Sequence, residues 1–228
     1  MNAHYTYFLI LALSLAGPLA LSFDSKVAFY KKWKYLFPAM IIPALLYIGW
    51  DMWFTHQQIW SFNPDYISGI HIYNLPIEEV LFFFVVPYCC VFIYECIRAY
   101  FPNIRHTSTL QYVFYALGLA LFVTGIVYAD RAYTAYTFLL LSLLIGLSGL
   151  FPTFFRHLHL GYFLTAYLII LIPFLVVNGY LTAIPVVLYN NAENLQIRIY
   201  SIPFEDVFYG MLLILLNITG YERLQQRK

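Results

Sequence analysis

The chain has 228 residues, 62% hydrophobic, 21% aromatic and 10% charged, whereas soluble domains carry roughly a quarter charged residues. An ordinary soluble globule is therefore excluded and an integral membrane protein is expected. A net charge of +1, with no basic patch interleaved with aromatics, excludes an electrostatic nucleic-acid partner.

In chain order, apolar runs long enough to cross ~30 Å of hydrocarbon fall at 5–23, 35–54, 75–97, 110–128, 132–151, 160–181 and 202–221. Between them lie loop residues such as Asp24-Ser25-Lys26, Asn63-Pro64-Asp65, Phe101-Pro102-Asn103 and Asn190-Asn191. The first run has no basic residue before it, so a retained span is expected and not a signal peptide. Cys89, Cys90 and Cys96 share the third run and read as small buried hydrophobes, neither a disulfide framework nor a metal site.

Ten of the twelve Lys and Arg residues fall in alternate loops: Lys26, Lys31, Lys32, Lys34, Arg98, Arg105, Arg156, Arg223, Arg227 and Lys228. Only Arg131 and Arg198 fall in the others. The positive-inside rule then puts the N-terminus outside and the C-terminus in the cytoplasm, in a cell (inner) membrane.

Two stretches stand out. Asn74-Leu75-Pro76-Ile77-Glu78-Glu79 is echoed 127 positions later by Ser201-Ile202-Pro203-Phe204-Glu205-Asp206, and the same offset maps Ile72-Tyr73 onto Ile199-Tyr200 and Tyr94-Glu95 onto Tyr221-Glu222. The fold expected is all-α: two parallel three-helix repeats, 1–106 and 131–228, joined by an extra helix in 107–130, seven transmembrane helices in all. Each motif also reads as a plain helix start, since proline and carboxylates both suit a first turn. Yet capping needs one acid, and two adjacent acids in duplicate at the edge of hydrocarbon carry a desolvation cost that structure alone does not require.

Other polar residues carry open readings. Asp51, between Trp50 and Trp53, is either an interfacial anchor or a functional acid, and its mate at the same offset is Asn178. His71 and Arg198 precede the two motif prolines by the same five residues and are candidates to pair with the acids, as are Tyr73 and Tyr200. Glu95 and Glu222 read as interfacial charge pairs with Arg98 and Arg223, and Asn217 as a hydrogen-bonder to a neighbouring helix. Pro87 should kink the third helix, and Ile214 stands at its counterpart in the second half.

No phosphate-cradling glycine motif for a dinucleotide or nucleoside triphosphate is present, and no His/Cys spacing suits a metal. Carboxylates, tyrosines and phenylalanines at a lipid boundary suit acid–base chemistry on a lipid-soluble hydrocarbon, with aromatic faces to stabilise a carbocation.

The duplicated Pro76-Ile77-Glu78-Glu79 and Pro203-Phe204-Glu205-Asp206, on a three-plus-one-plus-three membrane plan, resemble the lycopene (carotenoid) cyclases of the fused two-subunit membrane type. That resemblance covers essentially the whole chain. It implies an intramolecular lyase (isomerase) of carotenoid biosynthesis, a lycopene β-cyclase that closes the linear ends of lycopene to β-ionone rings, giving γ-carotene and then β-carotene without net redox change. It further implies Glu78, Glu79, Glu205 and Asp206 as catalytic acids, with Asp51 as an addition, no cofactor and no metal. The partners expected are lycopene, γ-carotene, membrane lipid and other carotenoid enzymes. On this pattern Glu78→Gln or Glu205→Gln should each abolish cyclisation.

Three alternatives remain. A retinal protein needs a buried lysine, and every lysine here falls in a loop or terminal segment on the expected cytoplasmic side. A transporter or non-catalytic seven-helix protein would place more polar residues in mid-membrane. A related cyclase or hydratase making a different end group is not separable by sequence.

Overall fold

The computed structural model describes residues 3–226. Arg227 and Lys228, counted above among the basic residues, lie outside the described residues. Long helices form where the apolar runs predict them: α1 (Thr6–Leu21), α2 (Trp33–His56), α3 (Ile77–Tyr100), α4 (Ser108–Val127) and α5 (Ala132–Leu150), then a one-turn α6 (Pro152–Phe155), α7 (Leu160–Ala183) and α8 (Phe204–Gln225). The boundaries differ from the expected spans by two to four residues at most ends, as fraying and capping allow.

Six helical stretches are long and apolar enough to cross a membrane: Ala3–Leu21, Phe29–His56, Ile77–Tyr100, Ser108–Val127, Ala132–Leu150 and Leu160–Ala183. The seventh expected span, α8, is 22 residues long, about 33 Å at 1.5 Å per residue, but carries Glu205, Asp206, Glu222 and Arg223 and is less apolar than those six. Enclosure explains how it tolerates them. Glu205, Asp206, Asn217 and Glu222 are all buried, so α8 turns its polar groups to protein and not to lipid.

α3 and α8 form the centre, and the packing around them crosses between the halves. α1 lies on α3 and α5 on α8, as consecutive repeats would pack, but α2 lies chiefly on α8 and α7 on α3. The segments 1–106 and 131–228 therefore interlock. α4 packs on α5 through small residues: a Cβ at Gly118 would stand 2.7 Å from Ile145 Cγ2, and one at Gly125 2.9 Å from Leu139 Cγ.

The sequence reading missed the strands, which are only two or three residues long. β1 (Trp60–Phe62) pairs antiparallel with β4 (Val187–Tyr189), Trp60 opposite Tyr189, and so ties the α2–α3 loop to the α7–α8 loop. β2 (His71–Ile72) pairs with β3 (Leu75–Pro76), and β5 (Arg198–Ile199) with β6 (Ile202–Pro203), each hairpin leading straight into α3 or α8. The residues 75–76 and 202–203 are thus strand, not helix. Both two-residue turns put their first residue, Tyr73 (φ 58°) or Tyr200 (φ 59°), in the left-handed region, which is costly for any residue with a Cβ.

Candidate active site

The two hairpins aim the motif acids through the same set of bonds. Ile77 N–H donates to Ile70 O at 2.8 Å and Phe204 N–H to Ile197 O at 2.9 Å, which fixes each helix start against its hairpin. Ser68 N–H donates to Glu78 Oε1 at 2.7 Å, and Leu195 N–H to Glu205 Oε1 at the same distance. Thr134 Oγ1 also donates to Glu205 Oε1, at 2.6 Å. The first acid of each motif is therefore a clasp, fully buried, that holds the loop entering its own hairpin. Asn74 Nδ2 reaches Met52 O at 2.8 Å and Ser201 Oγ reaches Gly179 O at 3.2 Å, pinning each turn to the end of α2 or α7.

One residue further along the helix, the side chain points elsewhere. Glu79 and Asp206 both line a cavity of about 270 Å³, and Asp51, from the end of α2, joins them. Tyr7 Oη donates to Glu79 Oε2 at 2.6 Å and Tyr209 Oη to Asp51 Oδ1 at 2.6 Å, and the Asp51 and Glu79 carboxyls are neighbours in the cavity wall. Asp206 Oδ1 accepts from Tyr133 Oη at 2.5 Å, and its Oδ2 from Tyr189 Oη at 2.8 Å and Asn178 Nδ2 at 3.3 Å. The offset that equates Asp51 with Asn178 thus equates two neighbours of the second motif acids.

Aromatic rings surround the acids. Trp60 of β1 stands edge-on to Tyr133 at 5.2 Å and to Tyr209 at 5.9 Å, and Tyr133 stacks on Tyr189 at 5.9 Å. Tyr189 lies in the β1–β4 cap, outside the spans, and burial, then the nearby Asp206 carboxylate, push its phenol well above the usual range, so it stays a hydrogen-bond donor.

Below the acids the lining is apolar. Along α3 it runs from Glu79 through Phe82 and Val86 to Ile93, a rise of about 21 Å. Pro18 of α1 and Pro173 and Phe174 of α7 face it from the other side, with Leu213 and Ile214 of α8. Cys89 and Cys90 line it as small, soft walls, and all three thiols are free. Among the described residues no Lys or Arg lines it. Among the described residues no group of three potential ligands gathers to hold a metal ion.

Four of the additional candidates stand apart from this cavity. Tyr73 and Tyr200 are 77% and 85% exposed on the hairpin turns. His71 is exposed, its Nδ1 against Gly69 O at 2.9 Å, and Arg198 donates to Ser201 O and Asn191 Oδ1. Their side chains follow the strand, while the acids follow the helix, so equal spacing before the proline does not bring them together. Tyr7, Tyr133, Tyr189, Tyr209 and Trp60 were not singled out by sequence; among 22 tyrosines no local pattern marks the ones that reach a carboxylate across the bundle.

At the opposite end of α3 Glu95 pairs with Arg98 as the sequence leads one to expect, but Glu222 does not pair with Arg223. Arg98 bridges Glu95 Oε1, at 3.1 Å, and Glu222, and Lys32 pairs with Glu95 from the start of α2. Arg223 instead lies over the Phe154 ring, 3.9 Å from its centroid, because its position on α8 faces α6 and not Glu222. Asn217 bonds Leu213 O of its own helix at 2.8 Å, not a neighbouring helix.

A family model described as Lycopene cyclase matches residues 4–97 and 130–224. Among curated proteins the chain is similar to the bifunctional lycopene cyclase/phytoene synthase of Aspergillus oryzae, 31% identical over 62 residues, 27% of this chain and 11% of that protein. The protein of the same description from Podospora anserina is 35% identical over 49 residues, 22% and 8% of the two chains. That of Aspergillus niger is 34% identical over 62 residues, 25% and 11%. The aligned stretches span about a tenth of the length of these relatives. No solved structure matches the chain.

Proposed function

Because the chain belongs to the lycopene cyclase family, we propose that it is a lycopene β-cyclase, an intramolecular lyase that turns the linear ends of lycopene into β-ionone rings by proton transfer alone. The observation that carries this reading is the convergence of Asp51, Glu79 and Asp206, one α2 acid and the second acid of each motif, among aromatic rings in the lining of one largely apolar cavity. The apolar length accepts a polyene. A carboxylic acid in the cavity wall protonates the terminal double bond, the cation is captured by the next double bond within the folded end, and a carboxylate removes a proton to finish the ring. The Trp60, Tyr133 and Tyr189 rings supply negative faces to the cation while it exists.

On this proposal α8 is a seventh span, the two halves are parallel repeats, and the motifs lie at the outer face with the C-terminus in the cytoplasm. Both matched segments of the family model, 4–97 and 130–224, support the repeat. The motif pairs are then complementary and not redundant, since each contributes one acid to a shared cavity. Lycopene and γ-carotene enter from the bilayer, and neither flavin nor nicotinamide takes part.

Expression in a lycopene-accumulating bacterial host, with pigments separated by chromatography, tests the activity. Cyclic carotenoid is expected, and unchanged lycopene at verified membrane levels would reject it. Purified protein in liposomes with lycopene and no added cofactor should also form rings; strict dependence on reduced flavin would reject the cofactor-free route. Reporter fusions at both termini should report opposite sides of the membrane.

A further inference from the structure

We propose that the Asp51–Glu79 pair delivers the proton and that Asp206 removes it. This assignment rests on the cyclase reading above and adds to it which carboxyl does what.

The acids of this cavity differ in what they offer a proton. Asp51 and Glu79 each spend one oxygen on a tyrosine hydroxyl, Tyr209 on Asp51 and Tyr7 on Glu79, and the two carboxyls are neighbours in the wall of one cavity. Two neighbouring carboxyls in an apolar wall do not both ionise, because like charges repel strongly where little water screens them. Among the described residues no Lys or Arg lines the cavity, so none of them substitutes for that proton. The pair therefore stores a proton at the cavity wall.

Asp206 meets the reverse arrangement. Its three partners, Tyr133, Tyr189 and Asn178, all give hydrogens to it, and none is a carboxyl. Asn178 is the residue 127 positions after Asp51. An amide in that place can donate a hydrogen bond but cannot lend a proton, so the difference between the two halves at this one position separates a proton store from a proton acceptor.

The steps balance. The shared proton adds to C2 of the terminal C1=C2 double bond and leaves a cation at C1. The C5=C6 pair attacks, forming the C1–C6 bond and moving the cation to C5. Asp206 takes the hydrogen on C6, whose electron pair becomes the ring double bond. One proton enters and one leaves, no electron is transferred to or from another molecule, and both groups face the same cavity, through which the proton returns.

The test uses full-length protein in liposomes with lycopene in deuterated buffer. Wild type should place deuterium in the ring beside the gem-dimethyl carbon. Asp206→Asn should form no ring, yet the recovered lycopene should gain deuterium at its terminal alkenes, because the cation forms and reverts by returning a proton to the pair. Asp51→Asn and Glu79→Gln should give neither ring nor exchange. Tyr189→Phe, which keeps every carboxyl and removes one donor to Asp206, should slow ring formation about tenfold and raise the ratio of exchanged lycopene to product.

Exchange in the Glu79→Gln protein but not in Asp206→Asn would reverse the assignment, and an unchanged ratio in Tyr189→Phe would overturn it even if the other variants failed to fold. A wild type that neither cyclises nor exchanges would instead sink the cyclase reading, and the assignment with it.

Discussion

α3 carries a buried glutamate at each end, Glu79 at the cavity and Glu95 four turns away, and the two differ chiefly in their company. Glu95 has cations, Lys32 and Arg98, with Tyr221 Oη donating at 2.8 Å. Glu79 has a tyrosine and another carboxyl. A buried acid with a cation is neutralised by its neighbour and has nothing to exchange; a buried acid beside a second carboxyl and without a cation shares a proton with it. On the cyclase reading the same side chain on one helix is a structural tie at one end and a proton carrier at the other.

The hardest test of that contrast is removal of the carrier. Asp206→Asn and Glu79→Gln should each lower cyclisation by roughly 10²–10⁴-fold at unchanged protein abundance, measured as pigment per folded molecule. Glu95→Gln should do the reverse, costing about 1–3 kcal/mol of stability in detergent unfolding, because Lys32 and Arg98 lose their shared partner while remaining about a third exposed. Turnover per folded molecule should stay near wild type, and a large loss there would erase the distinction between the two ends.

A finer division runs within each motif. The paired-acid pattern predicts loss of activity for Glu78→Gln and Glu205→Gln, but both side chains clasp backbone N–H groups outside the cavity. Glutamine keeps an acceptor oxygen for that N–H, so each change should cost about 1 kcal/mol or less and leave cyclisation within about threefold. Abolished activity in a folded protein would return the first acids to the chemistry. The smallest effects belong to the exposed hairpin residues: His71→Ala and Arg198→Ala should shift stability by no more than about 0.5 kcal/mol and leave pigment yield unchanged.

These contrasts were only partly legible in the sequence. The long helices were, because lipid demands unbroken apolar runs and the chain supplies them with Pro, Asn and Asp between. The motif acids were, because carboxylates are conspicuous in hydrocarbon. The cap was not, since three-residue strands such as Trp60–Phe62 have no period to read. Nor was the crossing of α2 onto α8 and of α7 onto α3, which is decided by side-chain fit between distant segments. The 127-residue offset did mark Asp51 and Asn178 as equivalents, but only the fold shows each beside the second acid of a motif, and only the fold separates that acid from the clasp before it.

Both motif copies deliver their second acids to one cavity of about 270 Å³. On the cyclase reading this makes the protein distributive. A long, rigid polyene with one finished ring cannot turn end for end in that space, so it must withdraw into the bilayer and return reversed, competing at the entrance with molecules that have not yet reacted. The share of one-ring product then becomes a kinetic branching ratio set by the crowd outside. Loading liposomes with more lycopene should raise the fraction of γ-carotene at equal turnover, whereas a constant fraction would mean that both ends are handled in a single visit.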